Sequence, residues 1–280
     1  MDLAGYETAI RDLAIPPRPE VITGLFEEMS RDVPDLAQVA KLIRGDPAIS
    51  AGILQAANSP FFGLARKVAS VQQALSVLGL RHVTNIATGI AIRQSLKGGT
   101  DGKAYEHFWR AAENTALICN FLATRLRGVP ADVAFTYGLF HDCGVPVLLS
   151  RFPRYKDTLR RAKDEPEATF SAVEEDETGT SHSILGYFLS RSWGLPDDLC
   201  QAVLLHHDPV AFADPATRDA VRNLIGLGHM AEHVQNQVLG NKNDAEWEKF
   251  GVLVISHFGI DDEDLVGLID AIGEAMHLEG

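Results

Sequence analysis

Apolar residues recur along the chain at intervals of three and four positions, with little sustained alternation between apolar and polar residues. That spacing places apolar side chains on one face of an α-helix, whereas a half-buried strand would alternate at every second position. Proline, glycine and aspartate interrupt the pattern repeatedly and mark where one helix ends and the next begins. The sequence therefore predicts an all-α fold made of two packed helical bundles.

A glycine-rich stretch divides the predicted helices into two groups. Residues 97–102 have the sequence Lys-Gly-Gly-Thr-Asp-Gly, which favours a connection over a helix. We therefore expect a helical bundle over residues 13–97 and another over residues 103–240. Residues 241–280 are predicted to form a C-terminal helical tail that packs on the core.

The charge of the chain limits which partners it can bind. Its 280 residues carry a formal net charge of -13, whereas nucleic acids and anionic membranes attract clustered Lys and Arg. We interpret the one basic-rich stretch, residues 151–163, as a solvated helix face, and the acidic run Glu174–Glu177 as a solvated stretch. We therefore expect neither nucleic acid nor a membrane as a partner.

The cysteines and the terminal segments indicate the compartment. Cys119, Cys143 and Cys200 are widely separated, show no Cys-x-x-Cys spacing and lie in apolar surroundings, so we predict buried, reduced thiols. The first residues lack a basic start followed by an apolar core, and no apolar run approaches the length of a membrane-spanning helix. These features predict a cytoplasmic protein.

His141 and Asp142 lie side by side within the otherwise apolar run of residues 138–149. Burying such a pair is unfavourable unless hydrogen bonds or a metal ion satisfy each group. The two residues are therefore either a structural pair held by their neighbours or two ligands of one ion. Adjacent positions on a helix diverge by about 100°, so both can reach one ion only near a helix end or by bridging two sites.

Further candidate ligands lie in the second half of the chain, at His182, His206 and His207, with a weaker candidate at His229. Imidazole and carboxylate groups together suit iron, manganese, zinc or nickel. The sequence thus raises the hypothesis of one divalent metal ion, beside the alternative that these histidines are structural.

Short motifs in both halves of the chain resemble those of a known family. They lie at residues 42–49, 54–63 and 74–79, and then at residues 108–109, 138–144, 182–186, 193–196 and 206–207. Together these segments resemble the HDOD domain, a bacterial signalling family related to the HD and HD-GYP metal-dependent phosphohydrolases. The resemblance covers about residues 13–240. It implies that the second bundle is HD-like, and that the protein regulates bacterial signalling or motility through protein contacts.

The chain departs from the pattern of the related hydrolases at several positions. Their metal set opens with a histidine on the first helix of the HD core, and that place falls near Ala111 or Ala112, which cannot coordinate a metal. A later aspartate of their pattern falls at or near His229. After the His-Asp pair, Gly144 is followed by Val145 rather than by lysine, so the basic residue that would meet a phosphate is absent. A Gly-Tyr-Pro motif is also missing.

These departures favour a non-catalytic signal-transduction module that acts through protein contacts and retains a degenerate metal site. One alternative is a metal-dependent phosphohydrolase acting on nucleotides or cyclic dinucleotides. Another is a metal-binding sensor without turnover. We predict no catalytic residue, and the candidate metal ligands are His141, Asp142, His182, His206 and His207, with His229 as the weaker one.

Overall fold

The computed structural model describes residues 16–64, 66–96, 102–126, 128–240 and 244–277. Within these ranges the chain forms α-helices, one short 3₁₀ turn and no strand, so the predicted all-α fold is confirmed. The N-terminal residues 1–15 lie outside the described ranges. So does the predicted connection at residues 97–102, except for Gly102, where a helix begins.

One compact unit comprises residues 17–97 and 274–280. Asp46 caps its third helix by accepting hydrogen bonds from the backbone N–H groups of Ala48 and Ile49. Gly79 interrupts its long fourth helix with φ 80°, a conformation that glycine adopts readily. The helices are α1 (Glu20–Met29), α2 (Leu36–Arg44), α3 (Pro47–Ala57) and α4 (Val71–Ser95).

The other compact unit comprises residues 1–16 and 98–273 and contains every candidate metal ligand. Its helices are α5 (Gly102–Ala123), α6 (Ala131–Phe140), α7 (Val145–Arg151), α8 (Tyr155–Asp164), α9 (Phe170–Thr178), α10 (His182–Ser192), α11 (Asp197–Leu205), α12 (Pro209–Ala213), α13 (Asp219–Val238), α14 (Ala245–Phe258) and the first part of α15 (Asp262–His277). The predicted limits and mutual packing of the two bundles, and the packing of the tail as a whole, stay predictions.

The ends of three helices carry the candidate ligands. Helix α6 ends at Phe140 and a turn over residues 141–144 follows, so His141 and Asp142 lie just beyond a helix end. Helix α10 begins at His182, and α11 ends one residue before His206. Because helical spacing no longer constrains residues in a turn, neighbours along the chain can face the same point.

Two predictions about helices are wrong. The helix expected over residues 151–163 is divided, because Phe152 adopts an extended backbone conformation. The proline that follows disfavours helical geometry at that residue.

In addition, the spans Val71–Ser95 and Ala131–Arg151 are long and apolar enough to cross a membrane by length and composition, although we predicted no such run. Their most apolar windows are 56% and 78% buried in the fold, as in the core helices of soluble proteins.

The three cysteines are free and buried, which confirms the prediction of reduced thiols. Burial raises the pKa of Cys200 to about 11. Burial also raises the pKa values of Cys119 and Cys143 well above the usual range. The thiolate form is therefore suppressed at all three positions, and none has the character of a reactive cysteine.

Candidate metal centre

Two histidine rings converge on one carboxylate oxygen. The Nε2 atoms of His182 and His206 lie 3.2 and 3.3 Å from Asp142 Oδ1. The same two nitrogens are 3.1 Å apart. Two ligands of a first-row divalent ion at bond lengths of about 2.1 Å are themselves separated by ~3.0–3.4 Å in octahedral or tetrahedral geometry. The three donor atoms are thus spaced as the ligands of one ion would be.

In these two histidines and in His141, Nδ1 is held by a hydrogen-bond acceptor. A carbonyl oxygen or a carboxylate can only accept, so Nδ1 carries the proton and Nε2 is left available as a ligand atom. Such outer partners are usual for histidines that bind metals. The acceptors are Val203 O for His206 at 2.8 Å, Gly138 O for His141 at 2.9 Å and Glu174 Oε2 for His182 at 2.7 Å.

A second group of donors shares the same aspartate. His141 Nε2 lies 3.5 Å from Asp142 Oδ2 and 3.1 Å from Glu232 Oε1. The two carboxylate oxygens of Asp142 therefore face different sets of ligands, with His182 and His206 on one side and His141 on the other. Helix α13 supplies Glu232, which the sequence analysis did not single out.

His207 and His229 occupy different positions around this centre. A ligand atom of His207 lies within 4.8 Å of those of Asp142, His182 and His206, while its Nδ1 lies 2.6 Å from Glu246 Oε2. His229 instead donates from Nε2 to the carbonyl oxygen of His206 at 2.6 Å and stacks on a phenylalanine ring. The structure thus brings together five of the six predicted ligands. The sixth, His229, contacts the backbone of His206 rather than the candidate metal position.

The pKa shifts follow from burial among carboxylates. Burial alone would lower the pKa of His182, but Glu174 and Asp142 outweigh it and raise that pKa to about 10. Burial likewise opposes protonation of His141, yet Asp142 and its neighbours raise the pKa to about 9. For His206 burial dominates and holds the pKa well below the usual value. A divalent cation would take the place of the protons that His141 and His182 otherwise hold against Asp142.

A cavity of about 530 Å³ opens beside these ligands. Helix α5 lines it with Ala111 and Ala112, the positions where the hydrolase pattern has its opening histidine, and no ligand group within the described residues includes either one. Arg110 and Lys163 also line the cavity. The lysine of the hydrolase pattern is absent after Gly144, but α5 and α8 supply these two cations to the cavity lining.

The interpretation of Glu174–Glu177 as a solvated stretch is also wrong at its first residue. The side chain of Glu174 is fully buried. Phe170, Val173 and Glu174 are spaced three and four positions apart on α9, so the glutamate belongs to the inward-facing side of that helix. The same periodicity could have identified it, whereas Glu177 and Asp176 are exposed.

Two further acidic residues at the site, Glu232 and Glu246, were not predicted from the sequence. Glu232 lies three positions after His229, which is the same side of α13 one turn further on. Glu246 is the second residue of α14, in the tail that the resemblance does not cover. Neither position is distinguished by a motif, and only the folded arrangement shows that both carboxylates meet histidines.

The fold and the converging His and Asp side chains define an all-helical protein with an HD-type candidate metal centre. The model of the HDOD domain family matches residues 15–209. The chain therefore belongs to the HDOD domain family, as the motifs indicated.

Individual relatives share the fold at low sequence identity. A protein of Treponema pallidum (strain Nichols), described as uncharacterized, is 24% identical over 69% of this chain, which spans only 38% of that relative's length. An HDOD domain protein of unknown function from Geobacter sulfurreducens has a TM-score of 0.65 at 22% identity, with 93% of each chain covered. A Shewanella amazonensis SB2B protein named as a candidate phosphohydrolase has a TM-score of 0.70 at 23% identity, with 95% of each chain covered.

A relative with a regulatory name is similar as well. A Marinobacter aquaeolei VT8 protein named as a candidate signal-transduction protein has a TM-score of 0.70 at 24% identity. The alignment covers 97% of this chain and 60% of that protein. At these identities the likenesses show a shared fold, and the names of the relatives describe those proteins alone.

Proposed function

We propose that this chain is a signal-transduction module that binds a divalent metal ion and acts through contacts with a partner protein rather than through turnover. The convergence of His182 Nε2 and His206 Nε2 on one oxygen of Asp142 carries the metal-binding part of this proposal. His141, Glu232 and His207 lie close enough to complete the coordination. Iron, manganese, zinc and nickel all suit such a donor set.

Among the described residues of α5, none belongs to a ligand group, which supports a regulatory role over a catalytic one. By resemblance, the related hydrolases coordinate metal through a histidine where this chain has Ala111 or Ala112. The ion would here be held from α6, α10, α11 and α13 alone among the described residues. A metal held in this way would stabilise the arrangement of those helices, which is what a regulatory ligand needs to do.

A metal-dependent phosphohydrolase is the second candidate, and the cavity favours it. A bound divalent ion can supply a hydroxide nucleophile by lowering the pKa of water. Arg110 and Lys163 line the adjoining cavity, whose volume of about 530 Å³ is in the range of small-molecule sites. Nucleotides or cyclic dinucleotides are the substrate class for this candidate.

The charge of the chain supports the proposed type of partner, and its cysteines support the proposed compartment. A net charge of -13 disfavours nucleic acids and anionic membranes, so the partner in this proposal is a protein. Free, buried cysteines accord with a reducing compartment, and we place the protein in the cytoplasm.

Metal analysis of the untagged protein, purified without chelator, tests metal binding. We expect about one or two ions per chain, because the two ligand groups share Asp142. His182→Ala and His141→Ala should each reduce the metal content, whereas His257→Gln, which changes a histidine paired with Asn223 away from the centre, should not. Metal-free wild-type protein after exposure to iron, manganese, zinc and nickel would contradict the proposal.

A hydrolysis assay separates the two candidate functions. Metal-loaded protein is incubated with cyclic dinucleotides and with nucleotides in the presence of manganese. A regulatory module should release no product above a matched Asp142→Asn sample. Turnover that disappears in Asp142→Asn would replace the regulatory proposal with the phosphohydrolase.

A further inference from the structure

Helix α9 places a buried carboxylate against one of the candidate metal ligands. Glu174 Oε2 accepts two hydrogen bonds from His182, one from its backbone N–H at 3.1 Å and one from Nδ1 at 2.7 Å. The other oxygen, Oε1, accepts from the hydroxyl of Tyr155. Both the carboxylate and the ring are almost completely buried.

We propose that Glu174 is a positioning residue of the metal centre, acting on the ion through His182. Its carboxylate accepts the Nδ1 proton of the ring, so Nε2 is the atom that faces Asp142 and His206 and that can bind a cation in place of a proton. The negative charge also increases the electron density that Nε2 can donate to a cation. This inference rests on the proposed metal binding and assigns to it a residue that no ligand group contains.

The surroundings of Glu174 fix its own orientation, as a positioning role requires. Tyr155 on α8 holds one oxygen, while the backbone and ring of His182 hold the other, so neither oxygen is left without a donor. Phe170, one turn earlier on α9, meets the His182 ring edge-on at 5.4 Å and stacks on His207 at 4.6 Å between ring centroids. One helix therefore constrains two rings of the centre.

A purely structural role for Glu174 would give different results from a positioning role. A buried ion pair contributes to folding whether or not a metal binds, and changing either partner would then affect the stability of the metal-free protein alone. A positioning residue changes the affinity for the ion, and does so only while His182 is present. A double-mutant cycle on metal affinity separates these two roles.

The experiment measures Co²⁺ binding by the full chain, using both affinity and the visible spectrum that reports coordination. Glu174→Gln keeps the size of the side chain and an acceptor oxygen but removes the charge. We expect it to weaken Co²⁺ binding by ~10–100-fold, as loss of an outer partner typically does. The same change in a His182→Gln background should alter the affinity by no more than about twofold, the limit of ordinary additivity.

Two further variants complete the design. Asp176→Asn removes one charge from the exposed side of the same helix and should leave Co²⁺ affinity unchanged. Tyr155→Phe removes only the hydroxyl that holds Oε1, and should weaken binding less than Glu174→Gln does. It also provides the test if Glu174→Gln fails to fold, since unchanged Co²⁺ affinity in Tyr155→Phe would then overturn the proposal.

The possible results distinguish this inference from the proposed function. Wild-type protein that binds no Co²⁺ would overturn both. Wild-type binding with an unchanged affinity in Glu174→Gln would overturn the positioning role alone. A loss of equal size with and without His182 would also overturn it, because Glu174 would then act by another route.

Discussion

At the scale of single residues, Gly144 shows why glycine closes the turn that holds His141 and Asp142. A Cβ atom at this position would lie 2.1 Å from the backbone oxygen of His182. No side-chain rotation can relieve that contact, because the opposing atom belongs to the backbone. The small residue therefore allows the turn after α6 to reach the first residue of α10, which brings Asp142 close to the His182 ring.

Gly144→Ala should lower the free energy of unfolding of metal-free protein by at least about 1–3 kcal/mol, the usual effect of overpacking. Urea denaturation measures the change. Gly267→Ala is the matched control, since a Cβ there meets no atom within 4 Å and alanine favours helix by roughly 0.5–1 kcal/mol. Equal stability of Gly144→Ala and wild type would contradict the close approach.

The cysteines give a second prediction at this scale. Because burial raises all three pKa values, to about 11 for Cys200, native protein should react slowly with iodoacetamide at neutral pH. Mass spectrometry should find three rapidly alkylated sites in urea and few in buffer. Rapid labelling of the native chain at any one site would show that its thiol is accessible.

At the scale of elements, α14 contacts His207 of the centre and His233 of α13, although it follows the residues matched by the family model. Glu246 pairs with His207, while Trp247 stacks on His233 at 4.1 Å between ring centroids. Lys249 Nζ donates to the carbonyl oxygens of Glu165 at 2.8 Å and of Ala168 at 2.9 Å. The helix therefore joins the centre to the segment that leads into α9.

Lys249→Met should loosen the segment before α9, because it leaves two carbonyl oxygens without their donor. We expect faster amide hydrogen exchange across residues 165–172 and a loss of about 1–3 kcal/mol in the free energy of unfolding. Glu248→Gln changes an exposed charge on the same helix and is the control. If exchange in residues 165–172 matches wild type in both variants, Lys249 does not hold this segment.

At the scale of the whole molecule, a bound ion should act as a stabilising ligand. The donors come from four helices or their ends, and His141 and Glu232 are 91 positions apart in the sequence. The unfolded chain cannot present them together, so binding favours the folded state. The stabilisation should appear in the unit of residues 98–273, which contains every one of these donors.

Metal addition should therefore raise the melting temperature of chelator-treated protein. At a free metal concentration of 100 times the Kd, linkage predicts about 2.7 kcal/mol of additional stability. Differential scanning calorimetry with and without metal measures the shift, and excess chelator should reverse it. Asp142→Asn should show no such increase; a similar increase in that variant would mean that the ion binds elsewhere.

How much the sequence could predict differs between the fold and the site. Helical periodicity was sufficient for the all-α class, because the spacing of apolar residues is a local property. The motifs singled out Asp142 and the histidines around it. The periodicity of α9 could have identified Glu174 as an inward-facing residue. Glu232 could not be identified in this way as a partner of His141, because the two residues are 91 positions apart in the sequence and meet only in the folded chain.

The position of Glu232 and Glu246 has a practical consequence for dissecting the protein. The family model ends at residue 209, before α13 and α14 begin. A shorter chain cut at that limit would keep His141, Asp142 and His182, but would lose the carboxylates that face His141 and His207. Such a fragment would contain an incomplete centre. If it failed to bind metal, that result would not apply to the longer chain, in which α13 and α14 supply Glu232 and Glu246 to the site.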